Sequence, residues 1–183
     1  MKPGLPKNPP DSKLVLPIKD RDHLQGSIDA PMSLLEYGDY QCPYCGEAYP
    51  IVKAVQEQLG KKLCFVFRNF PLVNSHPYAE HAAEAAEAAG AQGKFWQMHD
   101  VLFENQEALD DESLAEYAET LALDARRLIA EVQGGAYIAR IRDDVKSGDR
   151  GGVNGTPTFF VNGLPFDGEP DVGALVAALT ARQ

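Results

Sequence analysis

The spacing of apolar and polar positions switches along the chain between strand-like and helical. MSLLEYG, Met32 to Gly38, reads as a strand, and KLCFVFRNF, Lys62 to Phe70, as a second. The second is continuously apolar from Leu63 to Phe67, as a strand buried on both faces requires. Between them Ala48, Val52, Val55 and Leu59 recur at helical spacing. They predict a helix from about Cys42 to Leu59, ended by Gly60. Strand, helix and strand within about 40 residues predict a βαβ unit with parallel strands and a right-handed crossover. Pro50 falls inside this helix and is expected to kink it, at a cost of about 3 kcal/mol in an otherwise ideal helix.

The period then stays helical for about 75 residues. HPYAEHAAEAAEAAG is an alanine-rich helix with Pro77 near its first turn. GKFWQMHDVLFENQ places Phe95, Met98, Leu102 and Phe103 on one face. DDESLAEYAETLAL opens with Asp111 as its expected N-cap, and DARRLIAEVQGG with Asp124. AYIARIRDDVKSG turns Ile138, Ile141 and Val145 inward. Strand character returns in TPTFFVNGLPFDG, where two short apolar runs flank Asn162-Gly163, a strong hairpin signal. EPDVGALVAALTA is a closing amphipathic helix. The resulting plan is βαβ and ββα interrupted by five helices, an α/β sandwich with one all-helical insertion. The expected divisions are a leader at 1–12, a frame at 13–74 and 151–183, and an insertion at 75–150. KLVLPI, Lys13 to Ile18, is expected to add an edge strand ended by Pro17.

Composition narrows the function classes. Across 183 residues the chain is 44% apolar and 24% charged, as in ordinary globular proteins, with a formal charge of −10. That charge argues against nucleic-acid and anionic-membrane surfaces, which call for clustered Lys and Arg. No apolar run approaches the roughly 20 residues that span a bilayer. The first 30 residues hold four prolines by Pro10 and only the short apolar run Leu14 to Leu16. A secretory signal needs an apolar core of about 7–15 residues, so the expected location is cytoplasmic, with an exported mature chain as the alternative.

Three cysteines cannot staple a fold, since one is always left over. Two of them, Cys42 and Cys45, stand three residues apart where the first strand gives way to the helix. Unsatisfied N–H groups and the macrodipole at a helix start favour a thiolate at Cys42, and Pro43 lacks a donor that would be unpaired there anyway. Thiols so placed reach pKa values of roughly 3.5–7.5, against about 8.5 when free. At this spacing both sulfurs lie on one helix face, close enough for a disulfide. Cys42 is expected to be exposed and nucleophilic, with Cys45 resolving the mixed disulfide from within the first turn. A metal site is the competing reading, but structural zinc needs four ligands, and Cys64 and the histidines show no ligand spacing with this pair. Two unrelated buried cysteines are the third.

EYGDYQCPYC, FVFRNFPL, AAEAAGAQGKFWQMHDVLF and GVNGTPTFFVNG together make the chain resemble the DsbA-like branch of the thioredoxin superfamily from about Asp22 onward. The resemblance implies a thioredoxin fold with a helical insertion, and thiol–disulfide exchange with protein substrates. It implies that Pro157 is the loop proline held cis opposite the cysteines, with the backbone of Thr156 pairing an extended substrate. A strand that merely begins after proline is the other reading. It further implies that Glu36, six residues before Cys42, relays the proton of Cys45, against a solvated strand-end glutamate. Pro43 and Tyr44, the intervening pair, tune the thiolate. Pro-Tyr is the glutaredoxin pair, whereas the best-known DsbA carries Pro-His.

Arg68 is expected to pair with Glu36 or reach solvent. Cys64 is expected to fill the core, and His76, His81 and His99 to sit on helices of the insertion in structural or solvated roles. The function expected is a monomeric thiol–disulfide oxidoreductase needing no bound cofactor. It would exchange electrons with protein thiols, glutathione or a thioredoxin-type reductant, acting as a reductase or repair enzyme in a reducing cytoplasm. The rivals are a glutaredoxin-like enzyme using Cys42 alone and a non-catalytic peptide-binding module beside Pro157.

Overall fold

The structure, a computed structural model, describes residues 17–181. Thirteen elements alternate as β1 (His23–Gln25), β2 (Met32–Gly38), α1 (Pro43–Leu59), a 3₁₀ turn (Gly60–Lys62), β3 (Leu63–Asn69), α2 (Ala79–Ala91), α3 (Phe95–Glu104), α4 (Asp111–Thr120), α5 (Ala125–Gln133), α6 (Ile138–Arg150), β4 (Thr158–Val161), β5 (Leu164–Pro165) and α7 (Val172–Ala181). The sheet order is β1-β3-β2-β4-β5, with β2 and β3 parallel and every other pair antiparallel. Five helices stand between β3 and β4, where the helical period predicts them. Among the described residues no helix is long and apolar enough to cross a membrane.

The pleat of β2 and β3 divides the interior in two. Leu34, Phe65 and Phe67 point toward α1, α3 and α7, joining Val52, Val55, Leu102 and Leu175 in the larger core. Leu35, Tyr37, Cys64 and Val66 point the other way and pack with Phe70, Val153 and Phe160. Both faces of β3 are therefore covered, and this accounts for its unbroken apolar run. The hairpin after β4 turns at Asn162 and Gly163, whose φ angles of 50° and 81° are those a two-residue turn requires.

Helix α2 is tied to the sheet by its buried Glu87 and to the start of α6 by Glu84. Glu87 accepts hydrogen bonds from His23 at 2.9 Å and Asn69 at 2.8 Å, and the Arg140 guanidinium lies 2.6 Å away. Glu84 accepts the backbone N–H of Tyr137. Small alanines let α2 approach its neighbours closely; Ala82, Ala85, Ala86, Ala88 and Ala89 are wholly buried.

Two local expectations are corrected, and one strand has no counterpart in the sequence pattern. The strand of three residues at His23–Gln25 has no pattern of its own and takes its place by pairing with β3. Helix α4 is capped by Asp110, not Asp111, because the extended backbone at Asp110 brings its carboxylate to the N–H groups of Glu112 and Ser113. His76 lies in the turn before α2 rather than on a helix. His99 lies on α3 in a structural role, as expected, buried in an aromatic cluster with Tyr40, Phe67 and Phe103, its Nδ1 3.0 Å from the Tyr40 hydroxyl. Helix α1 runs unbroken through Pro50. The expected leader and most of the expected strand at Lys13–Ile18 lie outside the described residues; Pro17 and Ile18 are not in a strand.

Candidate active site

The turn after β2 is built by Asp39. Its carboxylate accepts the N–H of Gln41 at 2.7 Å, a local bond that shapes the turn, and the N–H of Leu72 at 2.8 Å. His76 Nδ1 lies 2.8 Å from the same carboxylate. Gln106, in the loop after α3, donates to the carbonyls of Tyr40 at 2.9 Å and Cys42 at 2.8 Å. Gly46 leaves the space that the Gln106 amide fills; a Cβ there would collide with it.

Cys42 is the N-cap of α1, in extended conformation, with Pro43 as the first helical residue. Its Sγ lies 3.3 Å from the carbonyl oxygen of Thr156. The Thr156–Pro157 peptide bond is cis. The loop it belongs to covers the sulfur, so Cys42 is only 3% exposed, in contrast to the open position expected. Cys45 is fully buried, and its Sγ accepts the N–H of Asp39 at 3.5 Å. Cys42, Cys45 and Cys64 are free thiols, Cys64 buried on the opposite face of the sheet.

The two thiols titrate in opposite directions. Hydrogen bonding from Cys45 lowers Cys42 most; burial opposes it; Thr156 and the backbone N–H groups of Cys45 and Tyr44 add to the lowering, which brings Cys42 to about 5. Burial pushes Cys45 far up, reinforced by its bond to Cys42 and by the charge of Glu36. Glu36 projects from β2 to the same side as Leu34 and is 2% exposed, with Oε1 lacking any hydrogen-bond partner. Burial, then the Cys42 charge, raises it to about 8. It is thus a proton-holding acid at neutral pH.

Tyr44, Thr156 and Pro157 line a groove of about 400 Å³ beside Cys42, completed by the α1 face and by Glu169 and Pro170 ahead of α7. Tyr44 is 69% exposed. Pro43 is exposed and does not line this groove. Arg68 is not a partner of Glu36: in the β2–β3 register it stands opposite Tyr37, so the pleat sends it to the other face. There it donates to Asp22 at 2.9 and 3.0 Å and to the Tyr37 hydroxyl at 3.0 Å. Asp39 and Gln106 escape a reading by sequence. The first carries only a generic turn signal, and the second is 64 residues from the carbonyl it holds.

A CxxC pair at the head of a helix, facing a cis-proline loop on a sheet of this order, defines a thioredoxin-fold dithiol centre. Residues 19–181 match the thioredoxin family, and the chain belongs to it. It superposes on BdbD from Bacillus subtilis with a TM-score of 0.78 at 22% identity, covering 86% of this chain and 90% of that one. With alpha-DsbA1 from Wolbachia pipientis the TM-score is 0.79 at 19% identity, over 93% and 94%. In sequence it is 46% identical over 169 residues to the Na(+)/H(+) antiporter NhaA 1 of Salinispora arenicola, covering 92% of this chain. The chain spans about a quarter of that relative's length (26%).

Proposed function

We propose that the chain is a thiol–disulfide oxidoreductase acting on protein disulfides, with Cys42 as the attacking thiol and Cys45 as the resolving one. The observation that carries this reading is the unequal placement of two thiols three residues apart. One is stabilised as thiolate at the helix start by the Cys45 thiol and the N–H groups of Tyr44 and Cys45, and the other is buried as a thiol behind it. In the reducing direction the Cys42 thiolate attacks one sulfur of the substrate disulfide. A bond from Cys42 Sγ to that sulfur forms, the substrate S–S bond breaks, and the second sulfur leaves with the electron pair and takes a proton. Cys45 passes its proton to Glu36 in its ionised form, about a tenth of the population at pH 7 for a group titrating at about 8, and attacks Cys42 Sγ. The Cys42–Cys45 bond forms, the mixed disulfide breaks, and the first substrate sulfur leaves as a thiolate to be protonated. Two electrons pass to the substrate with two protons, one from Cys45 by way of Glu36 and one from solvent because Cys42 starts as a thiolate, and no bound cofactor takes part.

Thr156, Pro157, Pro43 and Tyr44 are proposed to meet the substrate, Thr156 through its backbone. The chain is read as a monomer made of a frame (13–74 and 151–183) with a helical insertion (75–150). A cytoplasmic place belongs to the same proposal, and reduction or repair follows from it as the net direction. Glutathione is disfavoured as the principal partner because the groove beside Cys42 carries Glu47 and Glu169 and no cationic side chain to meet its carboxylates.

Titration of the purified protein in glutathione buffers, with thiols counted by mass spectrometry, tests the reading. A two-electron transition confined to Cys42 and Cys45 is expected. A transition that halts at a glutathione adduct on Cys42 would transfer the function to the monothiol class, and no transition would leave the peptide-binding module.

A further inference from the structure

Residues 44, 47, 48 and 51 follow one another at helical spacing, so Tyr44, Glu47, Ala48 and Ile51 form a single face of α1 turned toward the groove. Pro157 and the Glu169–Pro170 pair make its other walls. Its character is therefore mixed. Ile51, Pro157, Pro170 and the Tyr44 ring are apolar, whereas the exposed carboxylates of Glu47 and Glu169 form no hydrogen bond or ion pair with any described residue. A long side chain with an aliphatic stem and a cationic head matches that combination: the stem covers apolar wall while the head stays wet beside the carboxylates.

We propose that this groove selects protein disulfides whose reacting cysteine is flanked by lysine or arginine, with Glu47 and Glu169 as the specificity-determining residues. The inference rests on the oxidoreductase reading and adds the substrate class to it. An acidic or purely aliphatic flanking residue gains nothing from the carboxylates, and an acidic one is repelled. Because both acids are at the rim, each is expected to change the rate by about two- to fivefold, with the effect shrinking as salt rises.

The test uses the reduced full chain and three disulfide-looped peptides that differ only in Lys, Leu or Glu beside the attacked cysteine, together with the small neutral disulfide of 2-mercaptoethanol. The lysine peptide should react roughly tenfold faster than the glutamate peptide at low salt. In Glu47→Gln/Glu169→Gln that ratio should fall to near one. In Glu112→Gln/Glu116→Gln, which removes the same charge from exposed positions on α4, it should persist. A leucine peptide faster than the lysine one, a ratio unchanged by the groove variant, or equal losses in both variants would overturn the proposal. The last outcome would assign the preference to the acidity of the whole chain. Failure of the wild-type protein to reduce even the neutral disulfide would instead sink the oxidoreductase reading itself.

Discussion

The Sγ of Cys42 stands 3.3 Å from the carbonyl oxygen of Thr156, although 114 residues separate the two in sequence. The contact joins the start of α1 to the loop before β4, so segments on either side of the five intervening helices meet at the Cys42 sulfur. Burial and a lowered thiol pKa coexist at Cys42 because the donors that hold its charge come from the protein itself: the Cys45 thiol and the backbone N–H groups of Tyr44 and Cys45.

With Cys42 titrating at about 5, its thiolate exceeds its thiol about a hundredfold at pH 7. Alkylation of the reduced protein by iodoacetamide should rise with a midpoint near pH 5 and be flat from pH 6 to 8. Replacing Cys45 by Ala removes the donor that lowers Cys42 most, so the midpoint should move up by roughly one to two pH units. A midpoint near that of a free thiol in the wild type would contradict the geometry of the helix start.

Cys45→Ser should attack a substrate disulfide once and stop. A covalent complex through Cys42, visible by non-reducing electrophoresis and released by dithiothreitol, is the expected product. Sustained turnover by this variant would point to the monothiol route. Cys42→Ser should form no complex at all.

Glu36 gives a pH dependence whose sign is fixed. Its folded-state value, about 8, lies above the ordinary 4.5. Its stabilising contribution is therefore complete below about 4.5 and lost as pH rises through about 8. Urea midpoints should show Glu36→Gln gaining on the wild type progressively across that window, with no gain below it. The same variant should slow release of the trapped substrate while leaving the first attack by Cys42 nearly untouched.

The Arg68–Asp22 pair is buried on both sides, each side chain 1% exposed. Arg68→Met leaves the Asp22 charge without its guanidinium, and the expected loss is about 3–5 kcal/mol in urea unfolding. Adding Asp22→Asn should recover a large part of that loss. Because the pair lies across the sheet from the cysteines, the alkylation midpoint of Cys42 should not move in either protein.

The sequence made β2 legible to the residue and β3 nearly so, because strands covered on both faces leave few polar interruptions. The turn at Asn162-Gly163 was equally plain, since few other residue pairs tolerate two successive positive φ angles. The helical series was readable from period alone. What escaped depends on distance. The pairing of His23–Gln25 with β3, the reach of Gln106 to the carbonyl of Cys42 and the bond from Asp39 to His76 are made by residues with no local pattern. The burial of Cys42 is hidden from the sequence for the same reason: a helix start is open to solvent until a loop from elsewhere in the chain is laid over it. The face that Arg68 takes is not legible in the sequence; the register Tyr37↔Arg68 puts it across the pleat from Glu36.

That register has a consequence for how charge is compartmented. The β2–β3 ribbon behaves as an insulating partition, with a guanidinium and its counter-ion sealed on one side and an uncompensated acid on the other. Had the strands slipped by one residue, cation and acid would share a chamber, and Glu36 would be held permanently ionised. One pleat, about the thickness of a single backbone, therefore separates a carboxyl group that is able to trade protons near neutral pH from one that is not.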